Sequence, residues 1–197
     1  MGKTVGCLAI AAIVAVIAVV WGVGQYNGLV KSQEAVNGAW SQVENVYQRR
    51  MDLIPNLVAT VKGVANFEKE TYIAVAEARS KAGQITISEE VLNNPELFKR
   101  FEQSQAQLGS ALSRLLAVAE NYPQLKANQN FLELQSQLEG TENRIAVERR
   151  RFNEVVQQYN TKVRTVPTSL IAGMLGFQQR PYFAAEPGAA TAPKVEF

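Results

Sequence analysis

The densest chemistry in the chain lies in Arg49-Arg50-Met51-Asp52-Leu53-Ile54-Pro55-Asn56-Leu57. Two adjacent guanidiniums can take a carboxylate or a phosphate through paired hydrogen bonds. On that reading Arg49, Arg50, Asp52, Pro55 and Asn56 form a turn on which a partner docks. A structural reading is favoured. In it Asp52, the sole aspartate, caps a helix, and Arg49 or Arg50 pairs with a glutamate across a bundle. An Arg50 buried at a seam position requires such a partner. A second basic group, Arg149-Arg150-Arg151, is flanked by Glu148 and Glu154. Consecutive helical residues point about 100° apart, so the three do not share a face. A solvated surface with intrahelical ion pairs is expected there. Glu139, Glu142 and Glu148 invite comparison with carboxylate-bridged metal bundles. Those sites also use a Glu-x-x-His pattern, and this chain has no histidine.

The missing histidine also removes most acid–base dyads, serine triads and imidazole-bearing metal sites. The single cysteine, Cys7, excludes disulfide frameworks and cysteine clusters. Lys and Arg number 20 against 18 Asp and Glu, a net charge of +2, so nothing marks a strongly basic nucleic-acid binder. The expectation is a protein with no enzymatic activity, no cofactor, no metal and no nucleic-acid partner.

The elements that would position these residues are helical, and the first is apolar throughout. Residues 5–24 read VGCLAIAAIVAVIAVVWGVG, without a charge. Twenty residues rise about 30 Å, the thickness of a bilayer core, and Trp21 suits an interface. The run is longer than a signal-peptide core, so an uncleaved anchor is expected. Lys3 and the amino group precede it, and Lys31 then Glu34 follow. By a margin of about one charge, the positive-inside rule puts the large domain outside the cytoplasm.

From Tyr26 to about Ala82 apolar residues recur in steps of three and four, through Val36, Trp40, Val43, Tyr47, Ile54, Leu57, Val61, Val64, Val75 and Ala78. That is a helical seam close to a coiled-coil pattern. Pro55 either kinks it or begins a second helix with Asp52 as N-cap. The stripe keeps its phase, which predicts a kinked or barely broken helix. Residues 83–88 form a connector, and Asn94-Pro95-Glu96 is a helix start. Its apolar face runs through Phe98, Phe101, Leu108, Leu112, Leu115 and Leu116. A further helix runs from about Asn128 to Thr165 through Phe131, Leu138, Ile145, Phe152, Val156, Tyr159 and Val163. Residues 168–176 allow one or two helical turns. The remainder is rich in Pro, Ala and Gly and too poor in apolar surface to fold alone. Within it Pro181, Tyr182 and Phe183 stand out as an anchor that docks on the bundle or on a neighbouring subunit. The aromatic residues on the stripes are expected in the core.

The predicted organisation is all-α: an N-terminal stub (1–4), a transmembrane helix (5–24), an antiparallel bundle of three to four long helices (25–180) and an irregular C-terminal tail (181–197). Several long strings give this chain a family resemblance. They are Tyr26-Asn27-Gly28-Leu29-Val30, AWSQVENVYQRRMDLIPNLVATVKG (39–63), FEKETYIAVAEARSKA (67–82), NYPQLKANQNFLELQSQLEGTENRIAVERRRFNEVVQQYN (121–160) and GFQQRPYF (176–183). With these the chain resembles the LemA family over nearly everything after the apolar span. The resemblance implies a bacterial membrane protein with one N-terminal span and a helical bundle. It implies no established activity, an association with membrane-protease quality control and envelope stress, and a relative involved in magnetosome membrane biogenesis. It assigns no catalytic residue. The expected protein is a scaffold in the bacterial inner membrane that self-associates in the bilayer. The alternative is an adaptor for another membrane protein, such as a membrane protease.

Overall fold

One unbroken helix carries the chain from the apolar span into the bundle. In the computed structural model, which describes residues 2–64, 67–85 and 88–184, helix α1 runs Gly2–Lys62. Its 61 residues rise about 90 Å. Among the described residues the apolar stretch is not buried within the protein, and it is long and apolar enough to cross a membrane. Below it a stripe of Leu29, Val36, Trp40, Val43 and Tyr47 is buried, as a 3.6-residue period requires.

Pro55 lies inside α1 without ending it. Proline has no N–H to give the carbonyl four residues back, which is that of Met51. Arg79 on the next helix supplies the missing donor, its Nε lying 3.1 Å from the Met51 oxygen. A second helix capped by Asp52 does not form. Asp52 is exposed and its Oδ1 accepts from Gln48 Nε2 at 2.8 Å.

The break comes after Pro55. The seam to about Ala82 is not one helix. It ends at Gly63, and α2 returns from Lys69 to Gly83. The apolar phase carries over because both arms face one core: Val61, Phe67, Val75 and Ala82 share a buried cluster. The short α3, Glu89–Asn93, begins directly after the predicted connector, in a stretch for which the sequence pattern predicts no element. Helix α4, Pro95–Ala119, starts where Asn94 Oδ1 accepts from the N–H groups of Glu96 and Leu97. After the single turn α5, Pro123–Lys126, Asn128 caps α6, Gln129–Arg164, through the Phe131 N–H. Helix α7, Thr168–Leu175, ends at Gly176, whose φ of +78° is the left-handed conformation of a helix stop.

Cross-contacts set the directions. Gln25 meets Thr168, Ser32 meets Lys162 and Arg50 meets Glu142, so α6 is antiparallel to α1. Trp40 meets Phe98 and Arg50 meets Gln105, so α4 runs parallel to α1. Met51 meets Arg79 and Lys62 meets Tyr72, so α2 is antiparallel to it. The result is an up-and-down all-α bundle of α1, α2, α4 and α6, with no strand among the described residues.

Two cores stack along the bundle axis. The one nearer the span is aromatic and contains Trp40, Tyr47, Phe98, Phe101, Phe152, Tyr159 and Phe183. The distal one is mainly aliphatic and is built on Ile54, Leu57, Val61, Leu108, Leu115 and Leu138.

Candidate functional site

The proposed docking residues of α1 divide between inside and outside. Arg50 is 3% exposed and points inward, whereas Arg49, Asp52, Pro55 and Asn56 are exposed. Helical spacing dictates this: Arg49, Asp52 and Asn56 are three or four residues apart and share one outer face, and Arg50 is rotated about 100° from Arg49.

Arg50 forms the level at which the two cores meet. Its Nη1 donates to Glu142 at 2.9 Å and 3.3 Å. Its Nη2 donates to the side-chain oxygen of Gln105 and to its carbonyl at 3.4 Å. The guanidinium also lies 5.0 Å from the centre of the Tyr47 ring, a cation–π distance. Ser104, Gln105 and Thr141 are buried at the same level, so one polar layer separates aromatic from aliphatic packing. The layer is built on local hydrogen bonds: Ser104 Oγ donates to the Phe101 carbonyl at 2.8 Å and Thr141 Oγ1 to that of Gln137 at 2.7 Å. Burial raises the Tyr47 phenol above its usual range, against the opposing pull of Arg149 and Arg50. Burial also raises Tyr159, which Arg180 opposes.

Arg50 is the floor of a groove of about 1170 Å³ between α4 and α6, lined by Tyr47, Gln105, Gly109, Leu138 and Glu142 among others. The half-exposed Glu142 carboxylate forms its rim. The groove offers one buried cation, a phenol and several carboxylates. That set can bind a polar or acidic group, but it holds no nucleophile paired with a base. The comparison with carboxylate metal sites is not realised by contact: Glu142 is committed to Arg50, and among the described residues no cluster of acidic or thiol groups could hold an ion.

The second feature is a strap. After Gly176 the chain runs back along α6, where two asparagines hold its backbone. Asn160 Nδ2 donates to the Arg180 carbonyl and its Oδ1 accepts from the Arg180 N–H, both at 2.9 Å. Asn153 repeats the arrangement on Phe183 at 3.0 Å and 2.9 Å. Seven helical residues rise about 10 Å, close to the length of three extended residues. The Asn pair therefore matches the Arg180–Phe183 interval. Pro181 is half-buried, Tyr182 is exposed and Phe183 is 4% exposed. The Phe183 ring packs against Phe98 at 4.9 Å and Phe152 at 5.4 Å. The Arg149 guanidinium lies over the same ring, 4.7 Å from its centre.

Arg149 thus departs from the expected intrahelical pairing. It reaches Glu102 on α4 at 3.7 Å and the Ala184 carbonyl at 3.0 Å. Arg150 and Arg151 stay exposed. Asn153 and Asn160 were not singled out from sequence. Their seven-residue spacing on the seam side of a Glu- and Gln-rich helix was the available signal. The tail beyond Ala184, residues 185–197, lies outside the described residues.

The chain is similar in sequence to proteins of one family. The model of the LemA family matches residues 39–197. Protein LemA of Metamycoplasma hominis is 26% identical over 163 residues, which covers 83% of this chain and 70% of that protein. Magnetosome protein MamQ of Magnetospirillum gryphiswaldense is 27% identical over 183 residues, covering 85% and 67%. Magnetosome protein MamQ 2 of Paramagnetospirillum magneticum is 26% identical over the same length, with the same coverage. These relatives indicate a membrane-associated protein and do not indicate an enzyme. With most of its length matched by the family model, the chain belongs to the LemA family.

Proposed function

We propose that this protein is a non-enzymatic, membrane-anchored scaffold of the bacterial cell envelope that self-associates in the bilayer. The observation that carries the reading is the continuity of α1. One helix is both the apolar span and a wall of the bundle, so the span and the bundle are mechanically one rod. A catalytic domain on a tether needs no such continuity, whereas a protein that sets distances at a membrane does. The span carries Gly6, Ala9, Ala12, Ala15, Ala18 and Gly22 at steps of three and four, spacing that favours close helix packing in lipid. The magnetosome names of two relatives fit a role in organising a membrane. Lys3 and the amino group ahead of the span support placing the bundle on the extracytoplasmic side of the inner membrane, by a margin of about one charge.

The test is native mass measurement on the full-length protein in mild detergent and in lipid nanodiscs. Oligomers that dissociate on Ala12→Leu and Ala15→Leu substitution are expected. A strict monomer in both media would overturn self-association.

A second reading, an adaptor for another membrane protein such as a membrane protease, is favoured by the exposed Arg49, Asp52 and Asn56 face of α1. It predicts a stoichiometric membrane partner that is lost with Arg49→Glu. Unchanged recovery removes the docking role of that face.

A further inference from the structure

The described surface outside the span carries one cluster of exposed apolar side chains, on α7 and just before it. Val166, Leu170, Met174 and Leu175 are 73%, 67%, 85% and 53% exposed. Leu170 and Met174 are one turn apart and share the outer face, and Ala172 is buried against the bundle. The other large exposed apolar residues outside the span, Tyr26, Ile73, Leu132, Val147 and Tyr182, sit on separate stretches of chain. Single exposed apolar residues need no explanation, but a cluster does.

The position of α7 identifies what covers it. Thr168 Oγ1 lies 2.9 Å from Gln25 Oε1, and Gln25 directly follows the apolar span. Phe177, just past α7, meets Tyr26 edge to face at 6.0 Å. The short helix is thus pinned where α1 leaves the hydrocarbon, at the level of Trp21 and Tyr26, both about two-fifths exposed. Cations collect just beyond. Lys162 Nζ lies 2.6 Å from Ser32 Oγ, and Ser32 is seven residues past Gln25, about 10 Å along the helix. Lys31 and Arg164 are exposed near that level, with Glu34 the acidic residue close to Lys31 in sequence. Apolar side chains at the edge of the hydrocarbon with basic residues behind them are the pattern of an interfacial helix.

We propose that α7 is a second membrane contact. Val166, Leu170, Met174 and Leu175 enter the acyl boundary of the bilayer that α1 crosses, and Lys31, Lys162 and Arg164 face the phosphates of anionic phospholipids. Two contacts fix the tilt of the bundle, which a single span leaves free. They also hold the start of the strap, because Phe177 follows α7 directly. The inference rests on α1 crossing the bilayer, and the experiment separates the two.

The full-length protein, in a Cys7→Ser background, receives a bimane label at Met174→Cys, at Ile17→Cys in the span, or at Val147→Cys on the exposed side of α6. Each is reconstituted in vesicles of phosphatidylethanolamine and phosphatidylglycerol containing lipid with a doxyl group near the headgroup. The Met174 label is expected to be quenched by the doxyl lipid and to be several-fold less accessible to iodide than the Val147 label. Leu170→Asp should restore iodide access at Met174 without changing helical content, since Leu170 is two-thirds exposed. A Met174 label open to iodide and untouched by doxyl lipid overturns the proposal. One protected from both quenchers also overturns it and assigns the face to a protein surface. An Ile17 label that no lipid quencher reaches would instead refute the membrane crossing itself. Quenching at Met174 that is undiminished in vesicles of phosphatidylcholine alone would remove the role given to the three cations.

Discussion

Around Trp40 the bundle is filled by rings: Phe98, Phe101, Phe152 and Phe183 all lie within 6.0 Å of it, centre to centre. Around Leu57 it is filled mainly by branched aliphatic side chains from α1, α2, α4 and α6. The difference follows from what closes each half. In the distal half α2 fills the fourth corner and satisfies its own backbone. At the level of Trp40 the strap takes part of that role, and an extended segment has no internal hydrogen bonds. Asn153 and Asn160 on α6 and Glu102 on α4 supply them from side chains. Large flat rings then fill the wider space beside a thin strap, each adding edge-to-face or stacked contact as well as buried area. A half closed by a strap depends on a few anchoring residues, whereas a half closed by a helix distributes its contacts.

The strongest test of that contrast is Phe183→Ala. Removing a buried phenylalanine costs about 3–5 kcal/mol, and here it also frees the strap. Hydrogen exchange should accelerate in residues 177–184 and at the start of α4, with the distal half still protected. Leu115→Ala, at about 2–5 kcal/mol, should do the reverse. Equal loss of protection in both halves under either substitution would show one cooperative core and dissolve the distinction.

Sequence pattern recovers the stripes because burial along a helix repeats every 3.6 residues, and nearly every expected core residue is buried. It recovers the caps at Asn94 and Asn128 because side-chain capping is local. It leaves Pro55 open and misses the break at Gly63 for two physical reasons. Pro55 looks like a helix end only if the Met51 carbonyl is left unpaired, and its partner Arg79 lies 28 residues away. Gly63 looks weak because the apolar phase survives it, yet an antiparallel return shows the same phase when both arms face one core. The need for a partner at Arg50 was legible from its seam position, but the choice of Glu142 depends on how α6 folds back. Phe183 and Tyr182 are equivalent in sequence, and only the register set by Asn153 and Asn160 sends one inward and the other out.

The boundary between the halves offers a test of intermediate size. Glu142→Ala leaves Arg50 buried without its carboxylate. Full burial of the pair would cost about 3–5 kcal/mol, but Glu142 is half exposed, so about 1–2 kcal/mol is expected. Arg50→Met removes the charge together with its need for a partner and joins the two apolar clusters. Its expected effect is near zero or stabilising by about 1 kcal/mol, and it should make the halves exchange together. Thermal melts with exchange mapping read both effects. Arg50→Met proving the more destabilising of the two would give Arg50 a structural role beyond charge pairing.

The smallest effect lies at the upper edge of the distal half, where α2 joins α1 through the Met51 carbonyl. In the protein as it stands, Arg79→Leu removes a charged donor from that oxygen, and about 1 kcal/mol is expected to be lost. Pro55→Ala restores the backbone N–H at position 55, which takes over the carbonyl and makes the Arg79 contact redundant. Against the Pro55→Ala background, Arg79→Leu should cost almost nothing, and the coupling energy from the double-mutant cycle should equal most of the single loss. Denaturant melts of the four variants supply the cycle. Additive effects would mean that Arg79 stabilises α2 independently of the proline, and the distal half would then owe its closure to α2 packing alone.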